Sequence, residues 1–296
     1  MCLNASLRGI LLMLAAMAVF ALLDGMAKYV MQTLPPPVAV FFRYFISCLL
    51  SLAIIARSGG LPLFVTRHPW LQIIRGLMLL SSTILNFIAL TYLQLAQTAA
   101  ISFTVPLWVC ALSVPLLGEK VGLKRWSAVT AGFLGVLIIM RPGTMSFHWA
   151  MFLSLGASLC GSIYNIATRK VGGHDRAETS LLYVGLVGSL GAATSLPWHW
   201  QMPETWQWPL LLLMGLAGGV GHFMLIQAHR LAPASLLAPF IYTQIFWMIL
   251  IGNLAFGDVP DMWTLIGAAI VIASGLFVFA RERTLGKQTE VPAPAD

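Results

Sequence analysis

The chain has 296 residues, of which 59% are hydrophobic and only 9% are charged. Soluble domains carry about 25% charged residues, so this chain cannot cover a surface in water and most of it must lie in lipid. The net charge of +7 does not indicate nucleic-acid binding, because no basic stripe alternates with aromatic residues. The four cysteines lack C-x-x-C spacing, so we expect no metal site, disulfide or cofactor.

Ten apolar segments follow one another along the chain, each long enough to cross a bilayer. The predicted spans are 9–31, 37–56, 70–91, 97–117, 123–140, 148–168, 178–197, 208–228, 233–254 and 262–280. Clusters of glycine, proline and charged residues separate them, as in short connections. The first run is too long for a signal peptide and lacks a cleavage site. The sequence therefore predicts an all-α membrane protein with ten transmembrane helices.

Lysine and arginine are distributed unevenly between the two sets of span ends. One set contains Arg8, Arg57, Arg67, Arg75, Lys120, Lys124, Arg125, Arg169, Lys170, Arg176, Arg230, Arg281, Arg283 and Lys287. The opposite set contains Arg141, with Lys28 near a span end. Because basic residues favour the cytoplasmic side, we expect both termini in the cytoplasm and the protein in the cell (inner) membrane. We expect Arg75, near a span end, to extend its charge towards the cytoplasm.

The two halves of the chain resemble each other weakly. Asp24-x-x-x-Lys28 matches Asn165-x-x-x-Arg169, and Gly118-Glu119 before a tryptophan matches Gly257-Asp258 before a tryptophan. Five spans in each half is an odd number, so the second half must be inverted relative to the first. We therefore predict inverted five-helix repeats at 1–143 and 144–280, a disordered polar tail at 281–296, and a solute site between the repeats.

Several short motifs resemble the EamA-type drug/metabolite transporter superfamily. They are Phe41-Phe42-Arg43-Tyr44, Arg75-Gly76, the run 99–106, Leu117-Gly118-Glu119-Lys120-Val121, Trp126, Ala238-Pro239-Phe240 and Phe256-Gly257-Asp258. Members of that superfamily move amino acids, sugars, nucleosides, vitamins and other metabolites, some inward and some outward. The resemblance thus implies transport without naming a substrate. Within the superfamily, the layout is most similar to S-adenosylmethionine and riboflavin carriers.

Polar residues inside the spans are the first candidates for a solute site, because an ionisable group there costs about 2.5–3.5 kcal/mol on insertion scales. Counting along each helix at about 1.5 Å per residue puts three of them in one layer of the outer half. The repeat offsets put three more in a second layer of the cytoplasmic half. The outer layer is Asp24, Arg43 and Asn86, and the inner layer is Asn165, Tyr183 and His222, with Tyr164 beside it. We expect the two layers to flank a central cavity.

Simpler interpretations of these residues remain open. Asp24 could be neutralised by Lys28, which lies four residues away on the same helix face, or could form a structural pair with Arg43. His222 could be a polar group packed among glycines.

Spans four and nine supply a further set of candidates near the midplane. Pro106 has no backbone N–H and should bend span four, and a membrane helix tolerates such a break beside protein or a wet cavity. The candidates flanking Pro106 and the matching part of span nine are Thr104, Trp108, Tyr242, Gln244 and Trp247. Aromatic rings with a few polar groups suit a flat organic solute, and ordinary packing is the alternative.

We expect a secondary transporter that moves a small organic metabolite, for example riboflavin or S-adenosylmethionine, by alternating access. No Walker loop is present, so a solute gradient, a coupled proton on Asp24 or His222, or the membrane potential would drive it. Besides the solute and the lipid bilayer, a homodimer partner is possible. A membrane enzyme is disfavoured because H-E-x-x-H and paired intramembrane aspartates are missing, and a channel because no filter sequence appears. The main alternative is a scaffold or sensor subunit that transports nothing.

Overall fold

The computed structural model describes residues 5–58, 66, 68–118, 121–171, 175, 177–232 and 234–289. Helices make up almost all of this part of the chain. Their bounds are α1 Ala5–Val30, α2 Pro36–Ser58, α3 Pro69–Tyr92, α4 Leu95–Ser102, α5 Val105–Leu117, α6 Leu123–Met140, α7 Ala150–Val171, α8 Ala177–Ala193, α9 Leu196–His199, α10 Gln207–Leu231, α11 Ala234–Ile241, α12 Gln244–Phe256 and α13 Met262–Thr289. The predicted all-α fold is confirmed.

Nine stretches within the described residues are long and apolar enough to cross a membrane. The remaining predicted span, the seventh at 178–197, is divided between α8 and the short α9. Helix α8 has only 17 residues and packs in the interior against α2 and α3. Protein covers part of its apolar surface, while Leu186 and Leu190 stay exposed, and the ten-span prediction roughly fits the fold with one short span.

Spans four and nine are both broken near their middles. The first break separates α4 from α5 and the second separates α11 from α12. Pro106 is in the first turn of α5, where its missing N–H leaves no hydrogen bond unmade, so the predicted bend at this residue is confirmed. A threonine marks each break: the Thr104 hydroxyl donates to the Ile101 carbonyl at 2.7 Å, and the Thr243 hydroxyl donates to the Phe240 carbonyl at 2.6 Å.

Helix contacts follow the two-fold relation expected of inverted repeats. The contact of α1 with α10 corresponds to that of α7 with α3, and α2 with α10 corresponds to α8 with α3. Likewise α1 with α12 corresponds to α7 with α5, while α2–α8 and α6–α13 are pairs of equivalent helices. The core thus lies between the repeats, as the inverted architecture predicts.

Glycine allows equivalent helices to approach closely. A Cβ on Gly135 of α6 would lie 2.9 Å from the Gly267 carbonyl oxygen of α13, and a Cβ on Gly267 would lie 2.6 Å from the Gly135 carbonyl oxygen. In the central pair, a Cβ on Gly188 of α8 would lie 2.2 Å from the Tyr44 ring of α2. Small residues at such contacts let membrane helices pack backbone to backbone.

The last helix runs past the predicted end of the tenth span. Helix α13 continues to Thr289, and the disorder of the tail at 281–296 stays a prediction. Polar residues can extend a helix beyond the bilayer where the preceding apolar segment has already nucleated it. The rest of the predicted tail, 290–296, lies outside the described residues.

Candidate functional site

The outer layer of polar residues meets at the interface of α1, α2 and α3. The Asn86 side-chain amide donates to an Asp24 carboxylate oxygen at 3.3 Å, so these two residues come together as predicted. Asp24 is half-buried, and Arg43 is near enough to act on it electrostatically. No ion pair joins Asp24 to Arg43 in the described residues, so the two charges face each other without direct contact.

Arg43 is held by one hydrogen bond and two aromatic rings. It is 8% exposed, and its Nη1 donates to the Thr83 hydroxyl at 2.8 Å. Its guanidinium lies over Tyr44, with the carbon 4.7 Å from the ring centroid, and 5.9 Å from that of Phe87. Since the Thr83 proton goes to the Leu79 carbonyl, the Tyr44 hydroxyl, 2.7 Å away, donates to Thr83. Arg43 Nε is buried and has no partner among the described residues.

Lys28 does not neutralise Asp24, so that interpretation is wrong. Its ammonium lies 2.8 Å from an Asp258 carboxylate oxygen and donates to the Leu93 carbonyl at 2.9 Å. It also lies 4.9 Å from the centre of the Phe256 ring. These contacts tie the end of α1 to the connections after α3 and α12. We call Lys28, Leu93 and Asp258 the outer latch, since the distribution of basic residues predicts that this face is the outer one.

The inner layer is centred on His222 of α10. Its ring packs edge-on against Phe20 at 5.1 Å and lies 6.5 Å from Tyr164, between ring centroids. The Arg75 guanidinium in turn lies 5.3 Å from the centre of the Tyr164 ring. Both Arg43 and Arg75 are close enough to act electrostatically on His222. The structure therefore connects the two layers through two arginines.

The predicted position of Arg75 is wrong. The side chain is 3% exposed and donates to the Gln72 amide oxygen at 2.8 Å and the Ser180 carbonyl at 3.1 Å. Gln72 itself donates to Asp175 at 2.8 Å. These two acceptors and the Tyr164 ring hold Arg75 inside, although its Nε has no partner among the described residues.

Two inner-layer candidates lie apart from His222. Asn165 is exposed, and within the described chain no hydrogen bond links it to the other candidates. Tyr183 is half-buried and is not among the residues that line the cavity described below. The side chains of Arg169 and Glu119, which the repeat matches to Lys28 and Asp258, lie outside the described residues.

The midplane candidates mostly pack between helices. Thr104 is fully buried, with its hydroxyl 2.8 Å from that of Ser158. Trp108 packs edge-on against Phe133 at 4.7 Å. Tyr242 packs edge-on against Phe103 at 5.0 Å.

The remaining two, Gln244 and Trp247, are half-buried in α12. Trp247 packs against the main apolar core. None of the five midplane residues lines the cavity described next, so packing accounts for most of this set.

A small cavity lies beside Arg43. We call it the central chamber and define it by Arg43, Ser47, Gly218, Gly219 and His222, which line it with parts of α2, α3 and α8. The enclosed space is about 20 Å³, enough for roughly one water molecule, which needs about 10–15 Å³. This conformation is therefore closed, and a metabolite requires the chamber to widen.

Sequence reasoning missed Thr83 and Ser47 as neighbours of Arg43. Thr83 lies three residues before Asn86 in α3, so it faces the same way, and this spacing could have identified it. Ser47 lies four residues after Arg43 in α2 and follows the same rule.

The family comparison agrees with this architecture. The model of the EamA-like transporter family matches residues 7–141 and again residues 148–280. The chain belongs to the EamA-like transporter family. The two matches coincide with the two inverted repeats, whereas the predicted boundary at residues 143 and 144 stays a prediction.

Named relatives of this EamA-family protein cover almost its whole length. It is 26% identical to an S-adenosylmethionine uptake transporter of Rickettsia prowazekii, over 95% of each chain. It is 30% identical to a riboflavin transporter of Vibrio cholerae, over 92% of this chain and 93% of the relative. It is 26% identical to the pseudopaline exporter CntI of Pseudomonas aeruginosa, over 90% and 94%. These relatives show that the EamA-family protein is a metabolite transporter.

A solved crystal structure has the same fold. It superimposes with a TM-score of 0.65 at 17% identity, over 95% of this chain and 98% of the other. At that identity the likeness shows the fold alone.

Proposed function

We propose that this EamA-family protein is a secondary carrier for a small organic metabolite of the S-adenosylmethionine or riboflavin class. The observation that carries the proposal is a closed chamber at the repeat interface, lined by Arg43 and His222 and adjoining Asp24. Buried ionisable groups at such an interface mark solute paths in membrane proteins. The names of the relatives support the two solute classes.

Two sets of contacts, one at each face of the protein, support alternating access. The outer latch holds one face closed, and the Gln72–Arg75–Asp175 network joins α3 to the connection before α8 at the other. Rocking of one repeat against the other would release these contacts in turn. The cytoplasmic position of both termini and the location in the inner membrane stay predictions from the distribution of basic residues. A homodimer stays a prediction as well.

A coupled proton is part of the proposal. Asp24 and His222 are the candidate proton carriers, because Asp24 lies near Arg43 and His222 lines the chamber. Protonation of either during the cycle would link solute movement to a pH gradient.

The test is uptake and counterflow of labelled S-adenosylmethionine and riboflavin in proteoliposomes, with and without a pH gradient. Saturable flux of one solute, lowered in Asp24→Asn without loss of folded protein, is the expected result. Folded protein that moves no member of a broad metabolite panel would instead indicate a scaffold or sensor subunit.

A further inference from the structure

We infer that Arg43 binds a carboxylate group of the transported solute, so that the carrier selects carboxylate-bearing solutes over neutral ones. The inference rests on the proposed function and names the chemical class of its solute. It depends on four features of the structure: the unused donors of Arg43, the positions of the carboxylates, the second arginine, and the space beside Nε.

The first feature is the unsatisfied hydrogen-bonding capacity of Arg43. A guanidinium has five N–H donors, and in the described residues Arg43 uses one of them, from Nη1 to Thr83. Nε is buried without an acceptor. The Tyr44 and Phe87 rings contact the cation but leave its in-plane donors open. A buried cation in this state is costly unless a counter-charge arrives.

The second feature is that the chain's own carboxylates are engaged elsewhere. Asp24 accepts from Asn86 and makes no ion pair with Arg43 in the described part of the chain. Asp258 belongs to the outer latch, and Asp175 accepts from Gln72. Arg43 therefore lacks a carboxylate in direct contact among the described residues, and a solute can supply one.

The third feature is the sign of the charge around the chamber. Arg43 and Arg75 are both basic, and both are close enough to act electrostatically on His222. Within the described residues, Asp24 is the carboxylate on which Arg43 acts electrostatically. Two cations against one carboxylate favour an anionic group entering the chamber. Arg75 already donates twice, to Gln72 and Ser180, although its Nε also has no partner among the described residues. Arg43 donates only once and, unlike Arg75, lines the chamber.

The fourth feature is the space beside Nε. A Cβ on Gly218 would lie 3.8 Å from Arg43 Nε and 3.2 Å from the Ser47 hydroxyl oxygen. Because glycine has no side chain, this wall of the chamber stays open next to the free donor. A planar carboxylate fits the Nε–Nη edge of a guanidinium in a two-bond contact. The rest of the solute would occupy the chamber once it widens.

The experiment measures binding to the full-length purified protein and competition for uptake in proteoliposomes. The probes are pairs that differ by the carboxylate, S-adenosylmethionine with its decarboxylated analogue and methionine with methioninol, together with neutral riboflavin. Wild type should bind the carboxylate-bearing member of a pair about tenfold to a hundredfold more tightly, as expected for charged hydrogen bonds. Arg43→Gln should abolish that ratio, and Arg43→Lys should retain part of it.

A matched control separates recognition from general loss of a buried arginine. Arg125 is also 8% exposed but lies at the start of α6, outside the chamber. Arg125→Gln should leave the ratio within a pair unchanged, whatever it does to the amount of folded protein. If Arg43→Gln does not fold, Gly218→Ala keeps the arginine and adds a methyl group beside Nε. It should reduce binding of the carboxylate-bearing member selectively.

The outcomes distinguish this inference from the carrier proposal. Three results would overturn the inference that Arg43 binds a carboxylate. Wild type could bind both members of each pair equally, or bind no carboxylate-bearing probe. The binding ratio within a pair could also stay unchanged in both Arg43→Gln and Gly218→Ala. Riboflavin uptake without any preference for a carboxylate would leave a carrier standing and this inference refuted. Absence of all flux would overturn the carrier proposal, while the binding ratios of the purified protein would still decide the inference.

Discussion

Replacing Lys28 by methionine should shift the protein towards a state that is open at the outer latch. Methionine keeps the unbranched apolar stem but loses the ion pair to Asp258, the bond to the Leu93 carbonyl and the contact with the Phe256 ring. The Lys28 and Asp258 side chains are 15% and 23% exposed, so water weakens these contacts only in part. A charged hydrogen bond in such a setting contributes about 1.5–3 kcal/mol. Loss of about 2 kcal/mol from the closed state alone changes the open-to-closed ratio about 30-fold.

The assay is labelling of a single cysteine by a membrane-impermeant thiol reagent. Leu95 is fully buried just beyond the latch and lies against Gly252 of α12. A cysteine at this position, in a chain whose native cysteines are replaced by alanine, becomes accessible to the reagent only when the latch opens. Labelling should accelerate about tenfold or more with Lys28→Met. It should accelerate less with Asp258→Asn, which leaves the Leu93 and Phe256 contacts of Lys28 in place, and the double variant should label no faster than Lys28→Met alone. The ion pair of Arg141 with Asp261 on the same face joins α6 to α13 and not α1, so Arg141→Gln should not accelerate labelling. An unchanged rate in Lys28→Met, or acceleration by Arg141→Gln alone, would refute the latch.

Three further predictions concern transport, packing and pH. Asp24→Asn should lower uptake at least tenfold with unchanged expression, measured as initial rate in proteoliposomes; an unaltered rate would remove Asp24 from the site. Gly188→Ala adds a Cβ inside contact distance of a packed ring and should cost about 1–3 kcal/mol, seen as a lower melting temperature in detergent. The open Gly122 provides the control, and equal melting of the two alanine variants would contradict the packing. Burial raises the pKa of the Asp261 carboxyl, but hydrogen bonds from Thr264 and Arg141 lower it more, so the pKa lies below its ordinary value. The ionised Asp261 carboxylate therefore stabilises the fold above the unfolded-state pKa, about 3.9, and this stabilisation is lost as pH falls through the folded-state pKa. Asp261→Asn should make the melting temperature fall less steeply in acid. A pH profile identical to that of the wild type would contradict this.

The fold was predictable from the sequence because lipid imposes simple rules. Apolar length identifies a span without knowledge of its neighbours, and an odd number of spans per repeat requires inversion. Pro106 revealed the break in span four because a missing N–H has a local effect. The break at Tyr242 and Thr243 has no proline at the equivalent place, and only the repeat pointed to it.

Side-chain partners were less predictable because they depend on how each helix is rotated about its axis. Lys28 and Asp24 share a helix face, yet Lys28 reaches Asp258, 230 residues away. Arg75 lies near a helix end, where a charged side chain usually extends to water, but acceptors on α3 and α8 keep it inside. The meeting of Asp24 and Asn86 was predicted correctly, because two residues at equal depth on neighbouring helices can be identified from the sequence. The division of the midplane residues between packing and cavity needed the coordinates.

Counterflow in proteoliposomes tests the central claim most directly, because it requires a binding site that alternates between the two faces and needs no energy source. Vesicles preloaded with unlabelled S-adenosylmethionine or riboflavin should accumulate the labelled form of the same solute transiently, and the Asp24→Asn protein should do so far more slowly. Folded wild-type protein that gives no counterflow with either solute, or with any member of a wider metabolite panel, would contradict the account of this chain as a carrier.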